Sequence, residues 1–306
     1  MAYKLVTFRA PGAPRTGVVL GDQVFDAAQI TGDAAHATML GLLDDWSGVD
    51  ATFAALADAV PGAEGVPLAE VELMAPIAQP GEIWAAGANY SEHIAEMAEG
   101  SEYKAVNAKT ISGGRPWFFS KTSRSAVVAH ESVNALPAWS EKVDWEIELA
   151  VVIGKTASHV KAADALDYVA GYSIANDLSA RDFVARPGIA PDSPFRFDWL
   201  SHKGFDGACP MGPWIVPARY IADPHSLQLK LWIGDELMQD STTSYMIFDI
   251  GEQIEEISAR ATLHPGDVIL TGTPSGVGIT RGRFLQSGEQ LRLWIEGIGE
   301  LRHGFS

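Results

Sequence analysis

One stretch of the sequence, VDWEIELAVVIG at residues 143–154, constrains the fold more than any other. Its second half is an apolar run typical of a buried strand. Because successive side chains of a strand point to opposite faces, we expect Asp144, Glu146 and Glu148 to share one face. The sequence therefore predicts a largely apolar strand that carries a row of negative charge, and such a row needs a physical reason.

The composition limits the partners that this chain can have. Its 306 residues are 47% hydrophobic, which is enough for a sizeable core. The formal net charge of −17 repels phosphate backbones, so we expect no nucleic-acid partner. The single cysteine, Cys209, excludes an intramolecular disulfide and a cysteine-based zinc cluster. No apolar run approaches the roughly 20 residues of a membrane helix, and no signal peptide is recognisable, so we expect a soluble cytoplasmic protein without a membrane partner.

The strand and helix signals divide the chain into two parts. Residues 15–27 predict a β-hairpin around a Gly21-Asp22 turn, and two short helical patterns follow. A segment with two prolines and a glycine then indicates a boundary. We therefore predict a small N-terminal domain over residues 1–75 and a larger domain over residues 76–306.

Strand signals dominate the larger part. Residues 227–241 predict a hairpin with Gly234 and Asp235 at its turn, and residues 244–263 predict an amphipathic helix. Residues 97–115 are polar and contain glycine, which favours a mobile loop or lid. The expected fold class is mainly β with α, that is, α+β.

Two carboxylates on one strand face can bind a single cation. Residues i and i+2 lie about 6.6–6.8 Å apart along a strand, and Mg²⁺–oxygen bonds of about 2.0–2.1 Å let Glu146 and Glu148 lean onto one ion. Asp177 follows a strand pattern and could supply a third oxygen. Oxygen ligands without histidine or cysteine favour Mg²⁺ or Mn²⁺ over zinc. The alternatives are a strand with one solvated face, and an Asp177 that caps a turn or helix.

The segment NYSEHIAEM at residues 89–97 contains a second candidate group. If the segment is helical, His93 and Glu96 lie on one face, where the carboxylate can hold one ring nitrogen and leave the other for a substrate. A histidine oriented by a carboxylate is a usual general base. The alternative is a helical surface pair without a catalytic role.

Together these features resemble the fumarylacetoacetate hydrolase superfamily, over roughly residues 81–299. The resemblance rests on motifs in the family's order: GANYSEH, FFSK, VDWEIELAVVIG, VAGYSIANDLSARD, HKGFDG, GPW and PGDVILTGTPSGVG. It implies a catalytic domain built as a mixed β-sheet roll, preceded by a small α+β N-terminal domain. It also implies a homodimer.

The resemblance further implies roles for individual residues. Three carboxylates would hold a divalent metal, Mg²⁺ first with Mn²⁺ or Ca²⁺ as alternatives: Glu146, Glu148 and Asp177. His93 and Glu96 would form the activating dyad, and Lys203 resembles the lysine of the family's site. Four further positions resemble substrate contacts: Tyr90, Lys121, Arg181 and Thr273.

The family typically acts on 2-oxo acids, often with a second carbonyl group. We favour C–C bond hydrolysis of a diketo acid of the acylpyruvate or fumarylpyruvate type. His93 would activate a water that attacks the distal carbonyl, and the metal and Lys203 would stabilise the pyruvate enolate that departs. A 2-oxo acid decarboxylase, a hydroxydienedioate isomerase and a sugar-acid dehydratase are alternatives on the same site. A member that binds a metal or ligand without catalysis is another, although the intact dyad, carboxylates and lysine argue against it.

Other candidate residues receive less weight. Asp144 shares the face of the two glutamates but is not counted as a ligand, and we expect an exposed acid or one behind the metal ligands. Cys209 lacks a visible Cys–His arrangement, and a free cysteine is usually buried. Arg186 and Arg196 are candidates for binding a distal carboxylate of the substrate, with ordinary surface charge as the alternative.

Overall fold

The structure, a computed structural model, describes residues 2–57, 64–97, 109 and 113–306. The strands before the acidic stretch are β1 (Tyr3–Phe8), β2 (Arg15–Leu20), β3 (Gln23–Asp26), β4 (Val66–Pro67), β5 (Leu73–Met74), β6 (Ile83–Ala86), β7 (Phe118–Lys121), β8 (Val127–Val128) and β9 (Ser132–Asn134). The later strands are β10 (Val143–Asp144), β11 (Ile147–Ile153), β12 (Val169–Asn176), β13 (Ser179–Ala180), β14 (Cys209–Pro217), β15 (Gln228–Ile233), β16 (Glu236–Thr242), β17 (Val268–Leu270), β18 (Gln290–Ile295) and β19 (Gly299–Phe305).

The helices of the described residues are short. The α-helices are α1 (Ala27–Thr31), α2 (Met39–Asp44), α3 (Trp46–Ala57), α4 (Ser91–Met97), α5 (Ser123–Ala126), α6 (Trp199–Lys203), α7 (Ile250–Ser258) and α8 (Gly278–Arg281). The 3-10 helices cover Ala34–Ala37, Leu68–Glu70, Ala162–Tyr168, Arg181–Phe183, Ala218–Tyr220 and Thr243–Tyr245. In this part of the chain no helix combines the length and the apolar character needed to cross a membrane.

A mixed sheet of 12 strands forms the centre of the molecule. Its main path runs β4-β3-β2-β1-β14-β12-β11-β17-β6-β7, with β5 beside β1 and β8 beside β14. Its pairs are antiparallel except β17 with β6 and β14 with β8. A second sheet of five strands runs β16-β15-β18-β19-β9. The predicted fold class, mainly β with α, is confirmed.

Strand β11 is buried on both faces and lies between two apolar clusters. Ile147, Leu149 and Val151 point into one cluster, which the five-stranded sheet and α7 complete. Ala150 and Val152 point into the other, which α2 and α3 cover. Every residue of β11 is buried, so the alternative of a strand with one solvated face is wrong.

The predicted strand is interrupted at Trp145 and Glu146. β10 ends at Asp144 and pairs with β13, whereas β11 begins at Ile147. The amide of Trp145 donates to Asp144 Oδ1 at 2.8 Å, and the amide of Glu146 donates to Asn176 Oδ1 at 2.8 Å. Side chains thus replace the usual ladder partners, and the backbone leaves the regular strand where the acidic side chains lie.

The two predicted hairpins are confirmed, because β2 pairs with β3 and β15 pairs with β16 across their Gly-Asp turns. The predicted amphipathic helix is shorter than expected. It begins after Asp249, whose carboxylate accepts the amide of Glu252 in a capping box and fixes the start of α7. Most of residues 97–115, the predicted mobile loop, lies outside the described residues.

Strands from both sides of the predicted domain boundary belong to the 12-stranded sheet. β1 pairs with β14 in antiparallel fashion, with Leu5 opposite Ile215. The hydroxyl of Thr7 donates to the carbonyl of Pro76 at 2.7 Å. The division into residues 1–75 and 76–306 stays a prediction.

Candidate active site

The structure brings together the three carboxylates predicted to bind a metal. One oxygen each of Glu146, Glu148 and Asp177 lies within 4.8 Å of the others. The three residues are 5%, 1% and 1% exposed. Buried like charges repel each other strongly unless cations neutralise them, so the surroundings of these three residues, called here the carboxylate cluster, decide its chemistry.

Antiparallel pairing of β11 with β12 places the third carboxylate. Ile147 lies opposite Asn176 in the register, and the amide of Asp177 donates to the carbonyl of Glu146 at 2.9 Å. Backbone pairing therefore suffices to place Asp177 beside Glu146. Glu148 is fixed from another side, since its Oε2 accepts the amide of Gly272 at 2.6 Å.

Three cations contact the carboxylate cluster. Lys203 Nζ lies between Glu146 Oε2 and Asp177 Oδ2, at 2.7 and 2.5 Å. Lys121 Nζ donates to Asp177 Oδ1, and Arg181 Nη2 donates to Glu146 Oε1, each at 2.5 Å. No cation is bonded to Glu148 among the described residues, so the positive charge is concentrated on the other two carboxylates.

These contacts shift the pKa values of Glu146 and Glu148 in opposite directions. Burial alone would raise the pKa of Glu146, but the charges of Lys203 and Arg181 outweigh it and hold that pKa below its ordinary value. Burial, together with the charges of Asp177 and Glu146, raises the pKa of Glu148 well above its ordinary value. Burial and charge therefore favour the ionised form of Glu146 and disfavour that of Glu148, and a bound cation would favour loss of the Glu148 proton.

The predicted dyad lies on α4. His93 Nδ1 is 3.7 Å from Glu96 Oε2, and the two side chains are 12% and 19% exposed. The carboxylate of Glu96 accepts the amide of Gly276 at 3.0 Å and the hydroxyl of Thr280 at 2.8 Å. Burial would raise the pKa of Glu96, but these donors and the nearby imidazole hold it below its ordinary value.

The loop between β17 and α8 joins the dyad to the carboxylate cluster. The amide of Gly276 donates to Glu96, and the amide of Gly272 in the same loop donates to Glu148. Nδ1 of His93 is buried and has no hydrogen-bond partner in the described part of the chain. A small rotation that shortened the 3.7 Å separation from Glu96 would supply that partner.

The four predicted substrate contacts occupy different environments. The hydroxyl of Tyr90 is buried without a hydrogen-bond partner among the described residues, and burial, Glu148 and Glu92 raise its pKa. Lys121 and Arg181 are bonded to carboxylates of the site, as given above. The hydroxyl of Thr273 donates to Ile147 O at 2.9 Å. It also accepts from a glutamine of β16, which leaves it one lone pair for a ligand. The roles of all four stay predictions.

Several residues around the site had no functional assignment from the sequence. Gln239 of β16 is buried; its Oε1 accepts the amide of Ile147, and its Nε2 donates to Thr273 and Pro274. A polar side chain on a buried strand face is the only signal that could have indicated it. The ring of Phe119 is centred 5.2 Å from Lys203 Nζ, so it borders the cluster.

The structure also shows the surroundings of three residues that received less weight. Asp144 is neither exposed nor idle: it is fully buried and its Oδ2 accepts from Arg181 Nε at 2.8 Å. It therefore lies behind the predicted ligands, as one of the two expectations had it, and bonds the same guanidinium group as Glu146. The guanidinium groups of Arg186 and Arg196 each donate to a carbonyl of their own loop, at 3.3 and 3.4 Å.

Comparison with known proteins identifies the class. The sequence profile described as fumarylacetoacetate (FAA) hydrolase C-terminal matches residues 82–306. The chain is 39% identical over 236 residues to oxaloacetate tautomerase Fahd2a, mitochondrial, of Rattus norvegicus, which covers 76% of this chain and 69% of that protein. This chain therefore belongs to the fumarylacetoacetate hydrolase superfamily.

Solved structures of similar proteins cover almost the whole chain. Maleylpyruvate hydrolase from Sphingobium sp. SYK-6, in complex with manganese(II) ion and pyruvate, is 33% identical with a TM-score of 0.75, over 99% of this chain and 98% of that one. The 5-carboxymethyl-2-hydroxymuconate delta-isomerase from Mycobacterium smegmatis is 31% identical with a TM-score of 0.71, over 99% and 98%. Relatives thus include hydrolases, isomerases and tautomerases, which supports an enzyme without deciding its reaction. The cytoplasmic location stays a prediction, since the rat relative is named mitochondrial.

Proposed function

We propose that this protein is a divalent-metal-dependent hydrolase that cleaves a C–C bond in a diketo acid of the acylpyruvate type, such as fumarylpyruvate. The observation that carries the proposal is that one loop binds both the His93–Glu96 pair and the buried carboxylate cluster, through Gly276 and Gly272. A maleylpyruvate hydrolase with nearly full-length similarity supports the substrate class. A homodimer in the cytoplasm and Mg²⁺ as the preferred ion are part of the same proposal.

The carboxylate cluster fits a divalent cation. Three oxygens within 4.8 Å of one another can converge on one ion with small side-chain movements, and an oxygen-only set suits Mg²⁺ or Mn²⁺. Glu146, Glu148 and Asp177 would hold the ion. When bound, it supplies Lewis-acid polarisation of the substrate's carboxylate and 2-oxo oxygens. The manganese in the maleylpyruvate hydrolase structure supports this assignment.

The residues of the chain perform the proton transfers. Glu96, held by Gly276 and Thr280, orients His93 and stabilises the imidazolium that forms when His93 takes a proton from water. The oxygen of that water bonds to the distal carbonyl carbon, and the C–C bond to the pyruvyl carbon breaks. The positive charge of Lys203 favours the electron pair left on the pyruvyl fragment. Protonation of that carbon then gives pyruvate and the acyl group as a carboxylic acid.

A second candidate is keto–enol tautomerisation of a 2-oxo acid such as oxaloacetate. The 39% identity to a protein named oxaloacetate tautomerase favours it. The reaction needs no attacking water: His93 would move a proton between the carbon next to the 2-oxo group and the enol oxygen. The isomerase reaction is a third outcome on the same residues, and the M. smegmatis structure supports it.

The test uses purified protein and a panel of acylpyruvates that includes fumarylpyruvate. Loss of the diketone absorbance is followed with Mg²⁺ and with excess chelator, and pyruvate is quantified. We expect a loss that depends on the metal and yields equal amounts of pyruvate and the matching acid. If no acylpyruvate is cleaved while the decay of enol-oxaloacetate is accelerated, the hydrolase proposal is wrong and the tautomerase takes its place.

A further inference from the structure

Asp144 is the acid of the opening strand pattern that the proposed reaction does not use, although it is fully buried. Its Oδ1 accepts the amides of Trp145 at 2.8 Å and Gly278 at 2.6 Å. Its Oδ2 accepts the amide of Ile279 at 3.0 Å and Arg181 Nε at 2.8 Å. A carboxylate can bind this many donors only when several chain segments are arranged around it, so Asp144 joins those segments.

One of these segments leads to the carboxylate cluster. Arg181 uses Nε for Asp144 and Nη2 for Glu146 Oε1. Because the guanidinium group is planar and rigid, fixing Nε also fixes where Nη2 points. Asp144 therefore determines how the positive charge of Arg181 meets Glu146.

The other segment leads to the dyad. Helix α8 has no side-chain cap from its own N-cap residue, Val277, and Asp144 accepts its first two amides instead. Thr280, on the same helix, donates to Glu96 Oε1 at 2.8 Å. The amide of Gly276, just before the helix, donates to Glu96 Oε2 at 3.0 Å. The position of α8 thus determines the position of the Glu96 carboxylate.

The sequence of α8 permits this close approach only because it begins with glycine. A Cβ on Gly278 would lie 2.7 Å from Asp144 Oδ1 and 2.0 Å from the carbonyl oxygen of Arg283. Both distances are shorter than atoms tolerate, so any larger residue would push the helix away from Asp144. The contact between Asp144 and α8 is therefore a specific feature of this sequence.

We infer that Asp144 is a positioning residue that holds the carboxylate cluster and the dyad in a fixed mutual arrangement, through Arg181 on one side and α8 on the other. The inference rests on the proposed function in taking His93 and Glu96 as the dyad. Asp144 contacts no reacting atom, so its effect on turnover passes through Glu146 and Glu96.

Asp144→Asn tests the inference, because the carboxamide keeps one acceptor oxygen and turns a donor toward Arg181 Nε and the amide of Ile279. We expect kcat at saturating Mg²⁺ to fall at least about tenfold, since charge-assisted hydrogen bonds are lost. We also expect the Kd for Mg²⁺, measured by calorimetry, to rise several-fold. Thr280→Val, which acts only on the dyad side, should lower kcat and leave the Kd for Mg²⁺ unchanged.

A double-mutant cycle separates positioning from independent effects. If Asp144 acts on Glu96 through α8, Asp144→Asn combined with Thr280→Val lowers kcat by clearly less than the product of the single effects. Asp267→Asn is the matched control, because Asp267 is also a buried carboxylate that accepts two amides, those of Glu82 and His264, outside the site. We expect it to lower the unfolding temperature with no change in kcat or in the Kd for Mg²⁺.

Three results would overturn the inference. The first is a kcat and an Mg²⁺ affinity of Asp144→Asn equal to those of the wild type, and the second is changes in both quantities no different from those of Asp267→Asn. The third is fully multiplicative effects of Asp144→Asn and Thr280→Val on kcat. If Asp144→Asn does not fold, Arg181→Lys replaces the rigid guanidinium group by a single ammonium that cannot reproduce the paired contacts to Asp144 and Glu146. An unchanged Kd for Mg²⁺ in that variant overturns the cluster side. If the wild type cleaves no acylpyruvate, the proposed function fails, whereas the Mg²⁺ measurements still decide whether Asp144 positions Arg181.

Discussion

The carboxylate cluster and the dyad helix α4 are bonded to the same loop but are built differently. The cluster lies at the ends of two central strands, β11 and β12, where the side chains of Glu146 and Asp177 are 7% and 1% exposed and bind buried cations. His93 and Glu96 lie on a short helix and are 12% and 19% exposed. Isolated helices of this length are unstable in water, so α4 depends on contacts from other segments. The proposed metal site is thus held by the core, whereas the proposed dyad is held by hydrogen bonds at the edge of the core.

The largest expected effect comes from removing the base itself. His93→Ala should lower kcat by about 10²–10⁴-fold, because no general base then activates the water. The Kd for Mg²⁺ should stay within about twofold, since the carboxylate cluster is untouched. Steady-state hydrolysis and calorimetry measure the two quantities. Unchanged turnover would show that the dyad does not act as proposed.

Replacement of Glu146 or Glu148 by glutamine should change the stability of the metal-free protein by very different amounts. Glu146→Gln removes one of the two buried carboxylates that Lys203 and Arg181 each contact, so we expect the metal-free protein to lose up to about 3–5 kcal/mol of unfolding free energy. Glu148→Gln replaces a carboxyl whose ionisation burial disfavours and keeps an oxygen for the amide of Gly272, so we expect a change within about 1 kcal/mol. Both variants should weaken Mg²⁺ binding by at least about 100-fold. Denaturant unfolding in chelator, followed by calorimetry, tests the contrast, and equal destabilisation would contradict it.

The raised pKa of Glu148 makes metal binding depend on pH. Mg²⁺ must displace the proton of Glu148, so below that pKa its affinity should rise with pH by about tenfold per unit. Conversely, the folded metal-free protein binds this proton more tightly than the unfolded chain does. Its stability therefore falls as pH rises above the ordinary pKa of 4.5. Calorimetry in buffers of different ionisation enthalpy counts the protons released when Mg²⁺ binds. Glu148→Gln should release one proton fewer than the wild type. An identical count would contradict the assignment of Glu148 as the group that loses the proton.

The smallest effect should come from the edge contacts of α4. Ser241 of β16 donates to the carboxylate of Glu92 on this helix. Ser241→Ala removes one hydrogen bond, worth about 1 kcal/mol, so we expect kcat to fall up to about fivefold. The Kd for Mg²⁺ should not change. A loss of Mg²⁺ affinity equal to the loss of kcat would mean that the two regions are not held separately.

The sequence predicted those features that depend on local spacing. The hairpins follow from Gly-Asp turns between segments in which apolar and polar residues alternate. The periodicity of the strands and the pairing of β11 with β12 bring Glu148 close to Asp177. The break at Trp145 and Glu146 could not be predicted, because side chains of distant segments replace the ladder there. The sequence left two positions open for Asp144, exposed or behind the ligands, and could not choose between them because its partner Gly278 is 134 positions away along the chain. The assignments of ligand, dyad and substrate contacts stay predictions until the variants are measured.

The pairing of β1 with β14 has a practical consequence for anyone who trims this chain. A fragment that starts at residue 76 would lose β1 and leave one side of β14 open at Ile215, an apolar position that Leu5 otherwise faces. Open strand edges recruit further chains, and such a fragment would tend to aggregate during expression. Engineering that exchanges the leading segment must therefore supply a replacement strand in the same register, or else blunt that edge with charge.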